Sequence, residues 1–110
     1  MKFMILPALL LSFTTPAQAK GKTVVYCADE FTAVRINSAG GYGTNDYDVL
    51  IKDLRNGDEF ISKAKLTEKG SFVSEEAGFP TINTSPTSIA FVKAGWGLVV
   101  IEGENCEIDL

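Results

Sequence analysis

The chain has 110 residues, contains no histidine and carries a formal net charge of −4. This length allows one small domain once any leader is removed. The acidic balance disfavours nucleic acid and anionic lipid as partners, because both attract basic patches, and it favours a basic protein partner. The absence of histidine excludes a Ser–His or Cys–His nucleophile pair.

Residues 1–19 have the pattern of a secretory signal peptide. Lys2 precedes an apolar run over residues 4–13, which is shorter than the roughly 20 residues that a transmembrane helix needs. Ala17-Gln18-Ala19 then supplies a cleavage site. We expect a processed domain of residues 20–110 that is periplasmic or secreted, has no membrane anchor and is more acidic than the precursor, since Lys2 is lost.

Cys27 and Cys106 are the only two cysteines of the chain. In an exported protein an even number of cysteines indicates disulfide pairing, and two cysteines allow a single connectivity. Two thiols without a histidine supply too few ligands for a metal site. We therefore predict a Cys27–Cys106 disulfide and neither a metal nor another cofactor.

From residue 22 onward, the chain alternates between segments rich in β-branched and aromatic residues and short turn segments. The predicted strands cover residues 22–28, 31–38, 47–55, 59–66, 81–94, 98–102 and 106–110. Pro86 interrupts the segment 81–94, because a central strand does not tolerate proline. Residues 67–80 allow either a short strand around Phe72 or a helical turn at residues 74–77.

Two local patterns add detail to this prediction. Asn56-Gly57 predicts a hairpin with a type I′ turn. The apolar run in residues 98–102 is typical of a strand that is buried on both faces. No segment of ten or more residues shows helical periodicity. The predicted fold is all-β, a small antiparallel barrel or sandwich of six to eight strands, with the disulfide joining the first strand to the last.

The candidate partner-binding residues lie in two predicted loops, residues 39–46 and 74–88. Tyr42 follows two glycines in the first loop, whereas Glu75, Glu76 and Phe79 lie in the second. Tyrosine is common at recognition surfaces, and carboxylates suit a basic partner. A catalytic carboxylate pair is disfavoured, because adjacent acids on a loop are more often solvated surface. We predict no catalytic residue.

Two further features leave alternatives open. Residues 45–48 hint at calcium binding, but they lack the glycine and terminal glutamate of the twelve-residue calcium loop. Trp96 stands between two glycines, so its ring either packs on the core or projects as an anchor. We favour core packing for Trp96.

Three motifs support a family resemblance. Cys27 ends the first predicted strand, a hairpin crosses a glycine turn within residues 47–66, and Phe91-Val92-Lys93-Ala94-Gly95 leads toward Cys106. In these features the chain resembles the periplasmic and membrane-bound inhibitors of c-type lysozyme (the PliC/MliC family). The resemblance implies an eight-stranded antiparallel barrel with such a bridge, which blocks the cleft of a basic enzyme.

The chain departs from that family in its binding loop. The family carries a Ser-Gly-x-x-Tyr motif there, whereas this chain reads Ser74-Glu75-Glu76-Ala77-Gly78-Phe79-Pro80. The segment has no tyrosine and a different Ser-to-Gly spacing, so no binding residue is carried over from the family.

Taken together, these features predict an exported, non-enzymatic binding protein. The most concrete expectation is an inhibitor of a lysozyme-like or other envelope-directed enzyme, with a basic protein as partner. One alternative is a structural or accessory envelope protein, such as an adhesin-like module or an assembly subunit, which an unpaired strand edge would favour. Another is an immunity protein against an exported toxin.

Overall fold

The computed structural model describes residues 22–39 and 45–110. The predicted signal peptide and Tyr42 lie outside this range. The described residues form nine β-strands and one 3₁₀ turn, with no α-helix among them. The strands are β1 (Thr23–Ala28), β2 (Thr32–Ser38), β3 (Asp46–Asp53), β4 (Glu59–Leu66), β5 (Ser71–Ser74), β6 (Ile82–Thr84), β7 (Ser88–Lys93), β8 (Gly97–Glu102) and β9 (Cys106–Ile108).

All nine strands form one antiparallel sheet in the order β8-β7-β6-β5-β4-β3-β2-β1-β9. Each strand from β1 to β7 pairs with the next, and β9 returns to pair with β1. The 3₁₀ turn Gly103–Asn105 connects β8, at one end of the sheet, to β9 at the other. The end of the chain thus joins both ends of the sheet, and the sheet curls into a nearly closed barrel.

Side chains alternate between the inside and the outside of this barrel, as the pleat of a strand requires. In β3, Val49 and Ile51 are buried, while Leu50 between them points outward. The hydrophobic core consists of Val25, Cys27, Val34, Ile36, Val49, Ile51, Ala64, Phe72, Ile82, Ile89, Phe91 and Ile101. Eight of the nine strands contribute to this core, so its burial stabilises the whole sheet.

The predicted disulfide is confirmed. Cys27 and Cys106 are bonded to each other across 79 positions of sequence. They stand directly opposite in the β1–β9 register, and Cys27 is completely buried. The bridge therefore ties the first strand to the last, at the place where the sheet closes on itself.

The predicted number of strands was too low, because short strands were missed. The helical-turn alternative for residues 74–77 was wrong, since β5 runs through Ser74 and bends follow it. Pro86 divides the predicted segment 81–94 into β6 and β7, as expected from its missing N–H. In that turn, the N–H of Ser85 donates to the carbonyl of Ser88 over 2.9 Å.

The hairpin at Asn56-Gly57 is confirmed, but its loop is longer than a two-residue type I′ turn. The N–H of Asp53 donates to the carbonyl of Asp58 (2.8 Å), so residues 54–57 form the loop. Side chains fix this longer loop, since Asp53 Oδ1 accepts from the N–H of Arg55 and Asn56 Oδ1 accepts from that of Asp58 (both 2.9 Å). Gly57 adopts a positive φ of +84° in this loop.

The prediction that residues 98–102 are buried on both faces was wrong. Leu98 and Val100 are 68% and 48% exposed, and Ile101 is the only buried residue of β8. The physical reason is the position of β8 in the sheet. Its inner face contacts the core, while none of the described residues form a second layer over its outer face.

Candidate functional site

One cleft along β4 is bordered by the base of the β2–β3 loop and by the start of the β5–β6 loop. Ala39 and Asp46 flank the β2–β3 loop, and Glu75 and Glu76 begin the β5–β6 loop. The cleft has a volume of about 560 Å³ and is lined by Ala39, Asp46, Ser62, Lys63, Ala64, Lys65, Val73, Glu75 and Glu76. The structure therefore brings two of the candidate binding residues to the base of the loop that contains Tyr42.

A chain of hydroxyl groups anchors the acidic loop to β4. The N–H of Glu76 donates to Ser74 Oγ (2.9 Å), which lies 2.6 Å from Ser62 Oγ. Ser62 Oγ in turn donates to the carbonyl of Lys63 (3.0 Å). Because that bond uses the Ser62 hydroxyl proton, Ser74 is the donor to Ser62. Because Ser62 is buried, these hydrogen-bonded hydroxyl groups attach the start of the loop to the interior of the barrel.

The charges in the cleft are not equally available to a partner. Lys65 pairs with Asp46 at 2.5 Å and Lys63 pairs with Asp48 at 3.2 Å. The carboxylate of Asp46 raises the pKa of Lys65, and Glu75 adds a smaller effect in the same direction. Glu75 itself forms no ion pair with any described residue. The lysines of the cleft are therefore neutralised locally, and the acidic loop supplies its excess negative charge.

Phe79 lies on the other side of the same loop, in a second cleft. Its ring is half-buried and packs against the hydrophobic core. This second cleft, of about 330 Å³, is lined by Glu59, Phe60, Ile61, Glu76, Ala77, Gly78, Phe79, Pro80 and Lys93. Glu76 is common to both clefts, whereas Glu75 and Phe79 face different ones. Glu75, Glu76 and Phe79, the three candidates among the described residues, thus do not form a single patch.

Trp96 packs on the core, as predicted. Its ring is half-buried and meets Phe60 edge-on with 5.8 Å between the ring centroids. The ammonium of Lys93 lies 4.0 Å from the centroid of Phe60 and 5.0 Å from that of Trp96. These cation–π contacts hold the β7–β8 turn against the start of β4.

Sequence reasoning missed a third cleft, which lies along β8. It has a volume of about 330 Å³ and is lined by Asp29, Phe31, Thr32, Arg55, Gly95, Trp96, Leu98, Val99 and Val100. Its residues come from three turns and from β8, which are far apart in sequence. The apolar run of β8 was the only signal, and it indicated burial instead of a surface.

The guanidinium of Arg55 is fixed in the wall of this third cleft. It bonds both carboxylate oxygens of the buried Asp53, at 3.1 and 3.3 Å, and lies 5.5 Å from the ring centroid of Phe31. The hydrogen bonds from Arg55 hold the pKa of Asp53 below its ordinary value, and the same pair raises the pKa of Arg55. Arg55 is therefore committed to Asp53.

The described part of the chain holds no group of three or more His, Cys, Asp or Glu side chains that could bind a metal ion. It also includes no helix of the length and apolarity that a membrane span requires. Asp46 and Asp48, which were considered for calcium, each pair with a lysine instead.

Comparisons with protein-family models, with curated proteins and with solved structures gave no match to this chain. The resemblance to the lysozyme inhibitors therefore remains a hypothesis, and function has to be argued from the geometry of the surface.

Proposed function

We propose that this chain is an exported, non-enzymatic protein that binds a basic protein partner. Its most concrete form is an inhibitor of a lysozyme-like or other envelope-directed enzyme. The observation that carries the proposal is the cleft on β4, where Glu75 and Glu76, which form no ion pair with any described residue, lie beside the base of the β2–β3 loop. A disulfide-closed barrel of this size is also compatible with an oxidising, exported location.

Glu75 and Glu76 would act by attracting a lysine or arginine of the partner. Their loop is already fixed through Ser74 and Ser62, so binding would require little further ordering of the chain. Charges at an exposed rim mainly raise the rate of association and select against acidic partners. The unpaired carboxylates would then steer a basic enzyme onto the cleft.

A turbidity assay with c-type lysozyme and bacterial cell walls tests the concrete form. Glu75→Gln/Glu76→Gln should raise the inhibitor concentration needed for half-inhibition by roughly tenfold, which corresponds to about 1.4 kcal/mol. Glu104→Gln/Glu107→Gln is the matched control, because these exposed carboxylates also form no ion pair with described residues but lie in the 3₁₀ turn after β8 and in β9, away from the cleft.

Absence of inhibition at tens of micromolar would remove the lysozyme form of the proposal. Equal inhibition by both double variants would remove the role of the acidic loop.

A pull-down from envelope extract tests the general form, since it should recover a basic protein with the unmodified chain and less of it with Glu75→Gln/Glu76→Gln. Recovery of no partner would contradict the general form as well.

A structural or assembly role is the second candidate, and the exposed edge of β8 is the observation that favours it. Such a protein would self-associate through unpaired strand edges. Size-exclusion chromatography with light scattering should then show oligomers that grow with concentration. A monomer at all accessible concentrations would eliminate this candidate.

A further inference from the structure

The β3–β4 loop contains the only Asn-Gly pair of the chain, Asn56-Gly57. In such a pair the backbone nitrogen of the glycine can attack the side-chain carbonyl of the asparagine, because glycine has no Cβ to hinder the approach. Both residues are exposed, so water has access to them. The hydrogen bonds of the loop therefore decide how readily Asn56 loses its amide group.

Two of these hydrogen bonds oppose the attack. The N–H of Gly57 donates to the carbonyl of Asp53 over 2.7 Å, which keeps the proton on the nitrogen that would have to lose it. The carboxamide oxygen of Asn56 accepts from the N–H of Asp58 over 2.9 Å, which restrains the rotation that would bring its Cγ to that nitrogen. Both bonds have to break before the ring can close.

Other contacts hold the loop in this closed form. The N–H of Leu54 donates to the carbonyl of Phe31 over 2.8 Å, which ties the loop to the β1–β2 turn. The buried carboxylate of Asp53 accepts from the N–H of Arg55 at 2.9 Å and from its guanidinium at 3.1 and 3.3 Å. Because these contacts are confined to the loop and one neighbouring turn, the loop can open while the barrel stays folded.

We propose that Asn56 is a deamidation site that the closed β3–β4 loop protects and that reacts when the loop opens locally. In the open loop, the nitrogen of Gly57 loses its proton and forms a bond to Cγ of Asn56. The Cγ–Nδ2 bond breaks, and the amide group leaves as ammonia with that proton. Water then opens the cyclic imide at either carbonyl, which gives aspartate or isoaspartate at position 56.

The modification would keep the loop from closing again in its original form. Isoaspartate adds one methylene group to the backbone, so the spacing between residue 56 and the N–H of Asp58 changes. The new carboxylate also joins those of Asp53 and Asp58 in one short loop, where like charges repel each other. The reaction is thus a one-way record of loop opening. It involves no residue of the acidic cleft on β4, so the inference goes beyond the proposed function.

Peptide mapping by mass spectrometry measures the reaction during incubation above neutral pH. The folded, oxidised protein is compared with the same chain reduced and unfolded in guanidinium chloride, and with a synthetic peptide of residues 52–60. We expect the peptide and the unfolded chain to react alike. Asn56 of the folded protein should react more slowly by roughly tenfold or more, because two hydrogen bonds have to break first.

Asp53→Ala tests whether local opening controls the reaction. It removes the side-chain bonds to Arg55 and should accelerate deamidation of the folded protein by about threefold or more. Arg55→Ala, which removes only the guanidinium bonds to Asp53, should act in the same direction with a smaller effect. Ile101→Val is the matched control, because it weakens the core at β8 and leaves the loop unchanged. Its Asn56 should react at the unmodified rate, and urea unfolding establishes that each variant is folded.

The proposal is overturned if Asn56 reacts as fast in the folded protein as in the peptide. A faster reaction in the folded protein would overturn it as well, since the N–H of Asp58 would then activate the carboxamide instead of restraining it. Equal acceleration by Ile101→Val and Asp53→Ala would show that deamidation follows unfolding of the whole barrel and not opening of the loop.

Discussion

The hairpins β3–β4 and β7–β8 have similar, apolar inner faces, but their outer faces differ in chemical character. Both direct one row of side chains into the barrel core. On the outside, three of the four cross-strand pairs of β3–β4 are ion pairs, Asp46–Lys65, Asp48–Lys63 and Lys52–Glu59, and the fourth, Leu50 with Ile61, is apolar. Of the three outward pairs of β7–β8, two are apolar, Val92 with Leu98 and Ala90 with Val100, and the third is Ser88 with Glu102.

This difference shows that the fold requires apolar residues on the inner rows but permits either charged or apolar residues on the outer rows. β3 and β4 are flanked by other strands, so their backbone groups are protected from an incoming chain even without charges. β8 is at the end of the sheet, where charges would protect most, and it has almost none. Because folding requires only the inner row, the outer row of β8 is an exposed apolar surface that the fold permits but does not require.

The largest expected effect comes from removing the disulfide, because it joins the first and last strands of the barrel that contains both hairpins. Cys27→Ser/Cys106→Ser should lower the free energy of unfolding by about 4 to 5 kcal/mol, because the bridge closes a loop of nearly the whole domain. Urea unfolding of the variant and of the oxidised chain measures the difference. We expect hydrogen exchange to rise first in β9 and β8. A uniform rise across β3 and β4 would contradict a role for the bridge in closing the sheet.

The next prediction compares an inner with an outer position. Ile51→Ala removes a fully buried side chain of β3 and should cost about 2 to 5 kcal/mol of unfolding free energy. Leu98→Ala removes a side chain of similar size from the outside of β8 and should change it by less than about 0.5 kcal/mol. Thermal or urea unfolding provides both values. A comparable loss at Leu98 would show that the outer row of β8 is needed for folding.

A smaller effect is expected from the β3–β4 loop and depends on pH. Arg55 holds the pKa of Asp53 below its ordinary value of 3.8, so ionised Asp53 stabilises the folded state. This contribution is complete above the ordinary pKa and disappears as the pH falls through the lowered one. Asp53→Asn should therefore lower the urea midpoint at pH 7 and have little effect in strong acid.

Asp58→Asn is the control for that experiment, because Asp58 is exposed in the same loop and forms no ion pair with a described residue. Its urea midpoint should equal that of the unmodified chain at both pH values. A deficit of Asp53→Asn that persists unchanged in acid would show that shape and not charge determines the loop.

The smallest expected effect lies in the ion-pair ladder. A double-mutant cycle of Asp48→Ala and Lys63→Ala should give a coupling free energy below about 1 kcal/mol, because both side chains are exposed to solvent. The coupling should shrink in 1 M salt, where the Debye length falls to about 3 Å. A larger, salt-independent coupling would mean that the charged outer face of β3–β4 contributes to folding after all.

Local sequence patterns predicted much of the fold and little of the surface. Pro86 marked the division between β6 and β7, whereas in β3 both rows are apolar around Leu50, so only the structure shows that Val49 and Ile51 face inward. The Asn56-Gly57 signal located a hairpin but not its loop length, because Asp53 and Asn56 fix the turn through side-chain hydrogen bonds that compete with the two-residue geometry. The candidate residues in residues 74–88 were found at two clefts, since a bend after Ser74 turns Phe79 away from Glu75.

Residue types and local spacing were enough to predict the all-β class and the disulfide. Those predictions depend on composition, on period-two alternation and on the number of cysteines, all of which can be read along the chain. The order of the strands, by contrast, placed β8 at the end of the sheet, left Leu98 and Val100 exposed and brought Glu75 to the base of the β2–β3 loop. Such facts depend on which strands become neighbours, and strand order is fixed by contacts between residues far apart in the chain.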